Sequence, residues 1–367
     1  MFALDYIPFL IIIAVAIPLL LLFFLLRLVL GFFKGKSAAG VPSEWHLMVA
    51  NSREDAVSQA LFLLSFLFLG ITLLRLNQEM NYLLQWQTIL LISSIAGLTG
   101  AYTLKNVYLL AGGLVSISMW WTTQADLWGE KINVAPASVV AGIGLIATLF
   151  YTLGRLHEWN PRAKRFALTY LVFGLVSATV ILFIFSTGLG LEGLEELTDG
   201  APITQVPQVL LSLLVFAIAI VAALVMAVMK KLIFPGELAG VLIVAALIGS
   251  IAFLPAQTLV KGDSYGFSRE LTSTGIIWAS IFNIALLAEL VGIVFMGYAR
   301  RATWLINLGA LGLFIFIFTK YFDWFFSFLN KSVFFIGAGL LLFLLGWGME
   351  RGRRRMLARM RAQAPQP

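Results

Sequence analysis

The chain has 367 residues, of which 60% are hydrophobic and only 12% charged, and its mean hydropathy is +0.96. A soluble domain of this length does not have such a composition. The absence of Cys excludes disulfides, thiolate nucleophiles and Cys-ligated metal centres, and two His residues are too few for a His-rich metal site. We therefore expect neither a bound metal nor a cofactor.

Apolar runs of about 18 or more residues recur along the chain, and each is long enough to cross a ~30 Å hydrocarbon core as a helix. The predicted spans are 7–33, 57–76, 84–104, 107–124, 136–154, 166–187, 208–229, 238–258, 274–297, 303–320 and 332–349. The sequence thus predicts an all-α fold, a polytopic membrane bundle of about eleven transmembrane helices. The first run lacks a basic leading region, so we expect a retained helix rather than a cleaved signal peptide.

Orientation follows from the distribution of the 25 Lys and Arg residues, most of which fall on alternate short loops and on the C-terminal tail. The loop at 188–208 is acidic by contrast. Cytoplasmic loops carry an excess of Lys and Arg. An eleven-span chain therefore has its N-terminus outside and its C-terminus in the cytoplasm.

The predicted organisation is one transmembrane domain, 1–349, followed by a basic cytoplasmic tail, 350–367. The tail interleaves apolar residues with arginines, a pattern typical of a segment that lies on anionic lipid headgroups. The arginines that we expect to anchor it are Arg351, Arg353, Arg354 and Arg355. A docking peptide for a protein or nucleic acid is the less favoured alternative, and we expect no nucleic-acid partner.

Three short motifs resemble known sites but lack the context that their chemistry needs. "GLGLEG" (188–193) matches a dinucleotide pattern but follows a membrane helix rather than a strand. "GFFKGKS" (31–37) is one residue short of a phosphate loop. "HEWNP" (157–161) lacks the second His of a zinc protease, and its His is expected on a polar loop. We therefore assign no catalytic residue.

Glu289 is an ionisable residue inside an apolar span, about eight residues from its inner end and hence roughly 12 Å deep. Such a group is costly in the bilayer centre and marks a functional or interhelical contact. We expect it to be shielded from lipid, mostly neutral at pH 7, and hydrogen-bonded to Asn307 or to a Ser, Thr or Tyr of another span. Asn283 completes this candidate intramembrane polar site, with Ala288 and Gly292 as a small-residue packing pair.

A second candidate site consists of charged residues near the outer ends of the spans. Its members are Asp263, Arg269, Lys320 and Asp323. Acid–base chemistry needs two such groups at one point, and the sequence alone does not show whether these residues converge.

The C-terminal "FTKYFDWFFSFLNKSVFFIGAGLLLFLLGWGMERGRRRML" has an aromatic "YFD", a Gly-bearing last span and a Glu-Arg tail. The residues that carry this pattern are Tyr321, Phe322, Asp323, Gly337, Gly339, Glu350 and Arg351. In these features the last 40 residues or so resemble a family of uncharacterised bacterial predicted multi-pass membrane proteins. The resemblance implies a polytopic bacterial inner-membrane protein, and the family has no established activity that could be carried over.

Three functions remain open. The low polar content of the spans favours a structural or accessory subunit of a membrane or envelope complex, with membrane lipids and other membrane subunits as partners. Glu289 suggests a transporter or an ion- or proton-handling protein. The outer-end charges would suit a membrane enzyme acting on a lipid-linked substrate, although we expect no enzyme activity.

Overall fold

The computed structural model describes residues 56–130, 137–161, 163–187, 206–253, 260–261, 270–325 and 331–362. These residues form ten α-helices. They are α1 (Ala56–Glu79), α2 (Trp86–Leu104), α3 (Val107–Glu130), α4 (Ala137–Trp159), α5 (Lys164–Phe185), α6 (Pro207–Met229), α7 (Pro235–Ser250), α8 (Ser273–Ala299), α9 (Thr303–Phe325) and α10 (Lys331–Ala362). A 3-10 turn, Ile251–Phe253, follows α7, and a short antiparallel pair of strands, β1 (Val260–Lys261) and β2 (Glu270–Leu271), precedes α8.

The helices divide into two compact units. The first comprises Met1–Ala178 and Gly200–Ile233, and the second comprises Thr179–Asp199 and Phe234–Pro367. The boundary falls within α5, so the last turns of that helix belong to the second unit. The predicted single transmembrane domain over 1–349 stays a prediction.

In the first unit, α2 and α3 are separated by two residues, as tightly as the sequence predicts. Lys105 adopts a left-handed conformation with φ 54° and ends α2. The side-chain oxygen of Asn106 accepts hydrogen bonds from the backbone N–H groups of Tyr108 (2.8 Å) and Leu109 (3.0 Å). These bonds satisfy donors that a helix N-terminus leaves without intrahelical partners.

Trp121 of α3 lies at the centre of the first unit and is completely buried. Its indole N–H donates to the backbone oxygen of Val139 in α4 at 3.1 Å. Its ring meets the ring of Phe216 in α6 edge-on, with centroids 5.2 Å apart. One aromatic side chain thus holds α3, α4 and α6 together, and its single polar atom is paired.

Close helix contact elsewhere depends on glycine. A Cβ atom on Gly174 of α5 would lie 2.6 Å from the backbone N of Tyr151 in α4. In the second unit, a Cβ on Gly309 of α9 would lie 3.0 Å from the backbone oxygen of Leu290 in α8. Membrane helices approach closely where such small residues face each other.

In the second unit an ion pair joins α7 to the end of α8. Arg300 Nη2 lies 2.5 Å from Glu237 Oε2, and the Glu237 side chain is buried. The guanidinium also lies 4.8 Å from the centroid of the Phe234 ring. Glu237 is in the first turn of α7 and Arg300 follows the last residue of α8, where acid and base respectively suit the helix dipole.

Eight of the described helices are long and apolar enough to span a membrane, which confirms the class of a multi-pass helical membrane protein. The predicted span 7–33 lies outside the described residues. The predicted span 107–124 is a helix, α3, but is not among the eight. The count of eleven spans and the positions of the two termini stay predictions.

Several predicted spans have different ends in the structure. The span predicted at 238–258 is the 16-residue helix α7, which ends at Ser250 and gives way to the 3-10 turn. Pro255 explains this early end, because proline disfavours helical backbone at the residue before it and donates no hydrogen bond. The span predicted at 303–320 continues to Phe325, so the aromatic residues 321–325 extend α9.

Candidate intramembrane polar site

Glu289 lies in the middle of α8, beside the end of α5 in the second unit. The hydroxyl of Thr179 donates to Glu289 Oε1 at 3.1 Å. The other carboxylate oxygen, Oε2, is buried and has no hydrogen-bond partner among the described residues. The carboxyl group is therefore shielded, although the residue as a whole is only half-buried.

Asn283 lies six residues before Glu289 on the same helix. Its Nδ2 donates to the backbone oxygens of Ala279 (2.7 Å) and Ser186 (3.0 Å). Two carbonyl partners settle which end of the amide is the nitrogen. The amide oxygen Oδ1 therefore faces the other way, and it too is buried without a partner among the described residues.

Lys320 of α9 brings a cation to the same place. Its side chain is buried, with 5% of the residue exposed, and its ammonium donates to the backbone oxygen of Ser186. Ser186 directly follows α5, where the last carbonyls of a helix lack intrahelical partners and carry the negative end of the dipole. Lys320 and Asn283 together cap the end of α5.

These contacts form a line rather than a single centre. Asn283 and Glu289 are separated by about 9 Å along α8, at 1.5 Å per residue. Their partners Ser186 and Thr179 are spaced in the reverse order along α5, as two antiparallel helices require. The line presents two acceptor oxygens, Glu289 Oε2 and Asn283 Oδ1, which a proton, a water or a small cation would complement.

The prediction that Glu289 hydrogen-bonds a polar residue of another span is confirmed, and the partner is one of the residue types expected. It is a threonine on another helix, Thr179, whereas Asn307 lies in the second turn of α9 and makes contacts of its own. The predicted packing pair is wrong. Ala288 and Gly292 are exposed, and a Cβ on Gly292 would meet nothing within 4 Å among the described residues. They lie on the face of α8 opposite its buried residues.

The second candidate site stays a prediction, because most of its members lie outside the described residues. Asp263 and Arg269 lie outside the described residues, as does the side chain of Asp323. Lys320, which the sequence places at the outer surface, is instead buried against the end of α5. A helix that continues to Phe325 carries Lys320 along a packed face and not on a loop.

The basic tail continues the last span without a break. The last span and the basic segment are one continuous helix, α10, which runs to Ala362. Arg354 pairs with Glu350 at 2.7 Å on an exposed face, and the Arg351 guanidinium lies 5.2 Å from the centroid of the Trp347 ring. The side chains of Arg353 and Arg355 lie outside the described residues.

Sequence reasoning missed Thr179 and Ser186. Both are small hydroxyl residues near the outer end of a predicted span, and such residues commonly bond to their own helix. The described residues contain no group of three or more His, Asp or Glu residues that would hold a metal ion.

Comparisons with protein family models, with curated proteins and with solved structures find no match to this chain. The resemblance of the last 40 residues to a bacterial membrane-protein family thus remains an expectation from the residues alone. The structure establishes a multi-pass helical membrane protein with a buried polar line in its second unit.

Proposed function

We propose that this membrane protein binds and passes protons or small monovalent cations, with Glu289 as the group that takes up the charge. The observation that carries the proposal is the buried oxygen Oε2 of Glu289, which has no partner in the described part of the chain. A buried acceptor without a partner costs about 1–3 kcal/mol. A proton on Oε2, or a cation beside it, would remove that cost.

The neighbours of Glu289 support a path rather than an isolated contact. Asn283 offers a second buried oxygen, about 9 Å along the same helix, that has no hydrogen-bond partner among the described residues. Lys320 is buried at the end of the line with its ammonium on the Ser186 carbonyl, and its positive charge repels other cations at that end. Ionisable groups inside membrane spans mark ion paths and proton relays by default.

A structural or accessory subunit is the second candidate, and one observation favours it. The Thr179 hydroxyl already bonds Glu289, so the carboxyl group joins α5 to α8. A protein that needed only this interhelical hydrogen bond would tolerate any hydrogen-bond acceptor of the same shape at position 289. The location that we propose for either function is a bacterial inner membrane, with lipids and other membrane subunits as partners.

The test is ion flux in liposomes that contain the purified protein. An imposed pH gradient, and in turn Na⁺ and K⁺ gradients, should decay faster with the protein than in empty liposomes. Glu289→Gln keeps the shape and an acceptor but cannot be ionised, so flux should fall at least tenfold. Glu79→Gln makes the same change at an exposed position of α1 and should leave flux unchanged.

Two results would contradict the proposal. One is wild-type flux equal to that of empty liposomes for all three ions. The other is a Glu289→Gln protein that conducts as well as the wild type, which would favour the structural candidate. Thermal unfolding of both variants in detergent, compared with the wild type, would separate lost transport from lost folding.

A further inference from the structure

Three helix ends of the first unit meet at one place. The hydroxyl of Tyr102, near the end of α2, lies 2.6 Å from Nε2 of His157, near the end of α4. His157, which the sequence places on a loop, is thus part of a helix–helix contact. Arg165, at the start of α5, donates from Nη1 to the backbone oxygen of Lys105 at 3.2 Å.

The end of α6 joins the same group. The ammonium of Lys230 lies 4.4 Å from the centroid of the Trp159 ring, and Trp159 is the last residue of α4. A cation at this distance over an indole is attracted by the ring face. The α2–α3 turn, the α4–α5 turn and the end of α6 are therefore neighbours.

These turns carry an excess of positive charge. We call Lys105, Arg165, Lys230 and Lys231 the basic turn cluster. The three lysines are exposed and Arg165 is half-buried. Glu158 precedes Trp159 in the sequence, and its carboxylate pairs with the buried Arg155 at 2.9 Å rather than with a member of the cluster. No described acid forms an ion pair with a member of the cluster, so its charge is available to an anion.

The surroundings of the cluster are apolar. Trp159 is 58% exposed, and Leu104 and Met229, each next to a lysine of the cluster, are 52% and 75% exposed. A tryptophan side chain has an apolar ring and a polar N–H group, and tryptophan is therefore common at the headgroup level of a membrane. The basic turn cluster lies next to these exposed apolar side chains at the ends of the helices. It therefore combines cations for a phosphate with a surface for acyl chains.

We propose that the basic turn cluster binds the headgroup of an anionic phospholipid, with the phosphate among the four cations and the glycerol backbone against Trp159. Charge complementarity selects the anion, and the exposed Leu104 and Met229 select a lipid over a soluble phosphate or an acidic peptide. Each Lys or Arg near an anionic membrane surface contributes about 1 kcal/mol. The site is separate from Glu289 and does not rest on the proposed ion path.

The experiment measures lipid binding to the delipidated protein in a neutral detergent by native mass spectrometry. Phosphatidylglycerol should bind more tightly than phosphatidylcholine, which has the same acyl chains and no net charge. Lys230→Gln and Lys231→Gln should each weaken phosphatidylglycerol binding about fivefold. Lys230→Arg should retain it, and Trp159→Leu should weaken it without changing the charge.

Arg75→Gln is the matched control, because it removes one exposed positive charge from α1 of the same unit. It should leave binding unchanged. Equal binding of the two lipids would overturn the proposal, as would an equal loss in Arg75→Gln and Lys230→Gln. Inorganic phosphate that competes as well as the lipid would show that the site recognises a soluble anion, and would also overturn it.

Discussion

One hydroxyl group among the described residues donates a hydrogen bond to the Glu289 carboxyl group inside its apolar span. Thr179 donates to Oε1 at 3.1 Å, and the two residues lie on different helices, 110 positions apart in the chain. In the membrane interior an interhelical hydrogen bond of this kind contributes about 0.6 kcal/mol on average, with a maximum near 1.7. The bond therefore positions the carboxyl group without dominating the stability of the bundle.

A double-mutant cycle would measure that bond. Thr179→Val removes the donor and Glu289→Leu removes the acceptor, and each should lower the free energy of unfolding in detergent micelles by about 1–2 kcal/mol or less. The double variant should lose less than the sum, by about 0.6 to 1.7 kcal/mol.

The control for the cycle is Thr72→Val. Within the described residues, Thr72 bonds only the carbonyl of Phe68 in its own helix, at 2.7 Å, and it is exposed. Its replacement should change stability by no more than about 0.5 kcal/mol. Additive effects of Thr179→Val and Glu289→Leu would show that the two side chains are not coupled.

Individual helices pack where a glycine allows backbones to touch. The α4–α5 contact at Gly174 has a backbone nitrogen and a backbone oxygen, of Tyr151 and Ala147, within 2.7 Å of where a Cβ would stand. Backbone atoms of a helix cannot rotate away as the end of a side chain can. Any added atom at this position must therefore push α4 and α5 apart.

Gly174→Ala should accordingly lower the free energy of unfolding by about 1–3 kcal/mol, the usual cost of overpacking. Gly240→Ala is the paired control, because a Cβ there would meet nothing within 4 Å among the described residues. Alanine should be neutral at that position or stabilise α7 by up to about 1 kcal/mol. Thermal unfolding in detergent micelles would measure both, and equal stability of the two variants would contradict the tight α4–α5 contact.

The whole molecule is a chain of apolar helices whose threading depends on the charges of its turns. The charge distribution predicts a cytoplasmic position for the basic turn cluster and for the Arg-rich end of α10. The acidic segment 188–208 lies on the opposite side in the same prediction. The predicted orientation thus depends on the distribution of Lys and Arg over all the loops and not on any one span.

Reporter fusions at residues 200 and 367 would test this threading. A phosphatase that is active only outside should be active at residue 200 and inactive at residue 367, and a cytoplasmic fluorescent protein should give the reverse pattern. Equal signals at the two positions would contradict the eleven-span arrangement, because they would require an odd number of the five predicted crossings between them to be gained or lost.

Local sequence determined most of the helices. The span predicted at 274–297 is α8, Ser273–Ala299, and the span predicted at 84–104 is α2, Trp86–Leu104. Apolar length and turn residues belong to a short segment, and a backbone in lipid has no alternative to internal hydrogen bonding. Glu289 stood out for the same reason, because its carboxyl group contrasts with its own neighbours in the chain.

Tertiary structure alone decided which side chains meet. Asn283 and Lys320 come from two helices and Ser186 follows the end of a third. Their shared contact is the Ser186 backbone carbonyl, which carries no signature in the sequence. The choice of Thr179 over Asn307, and the exposure of Gly292, depend on how α8 is rotated against its neighbours. That rotation results from the packing of the apolar faces together, because most of the surface of these helices is apolar enough to contact either lipid or protein.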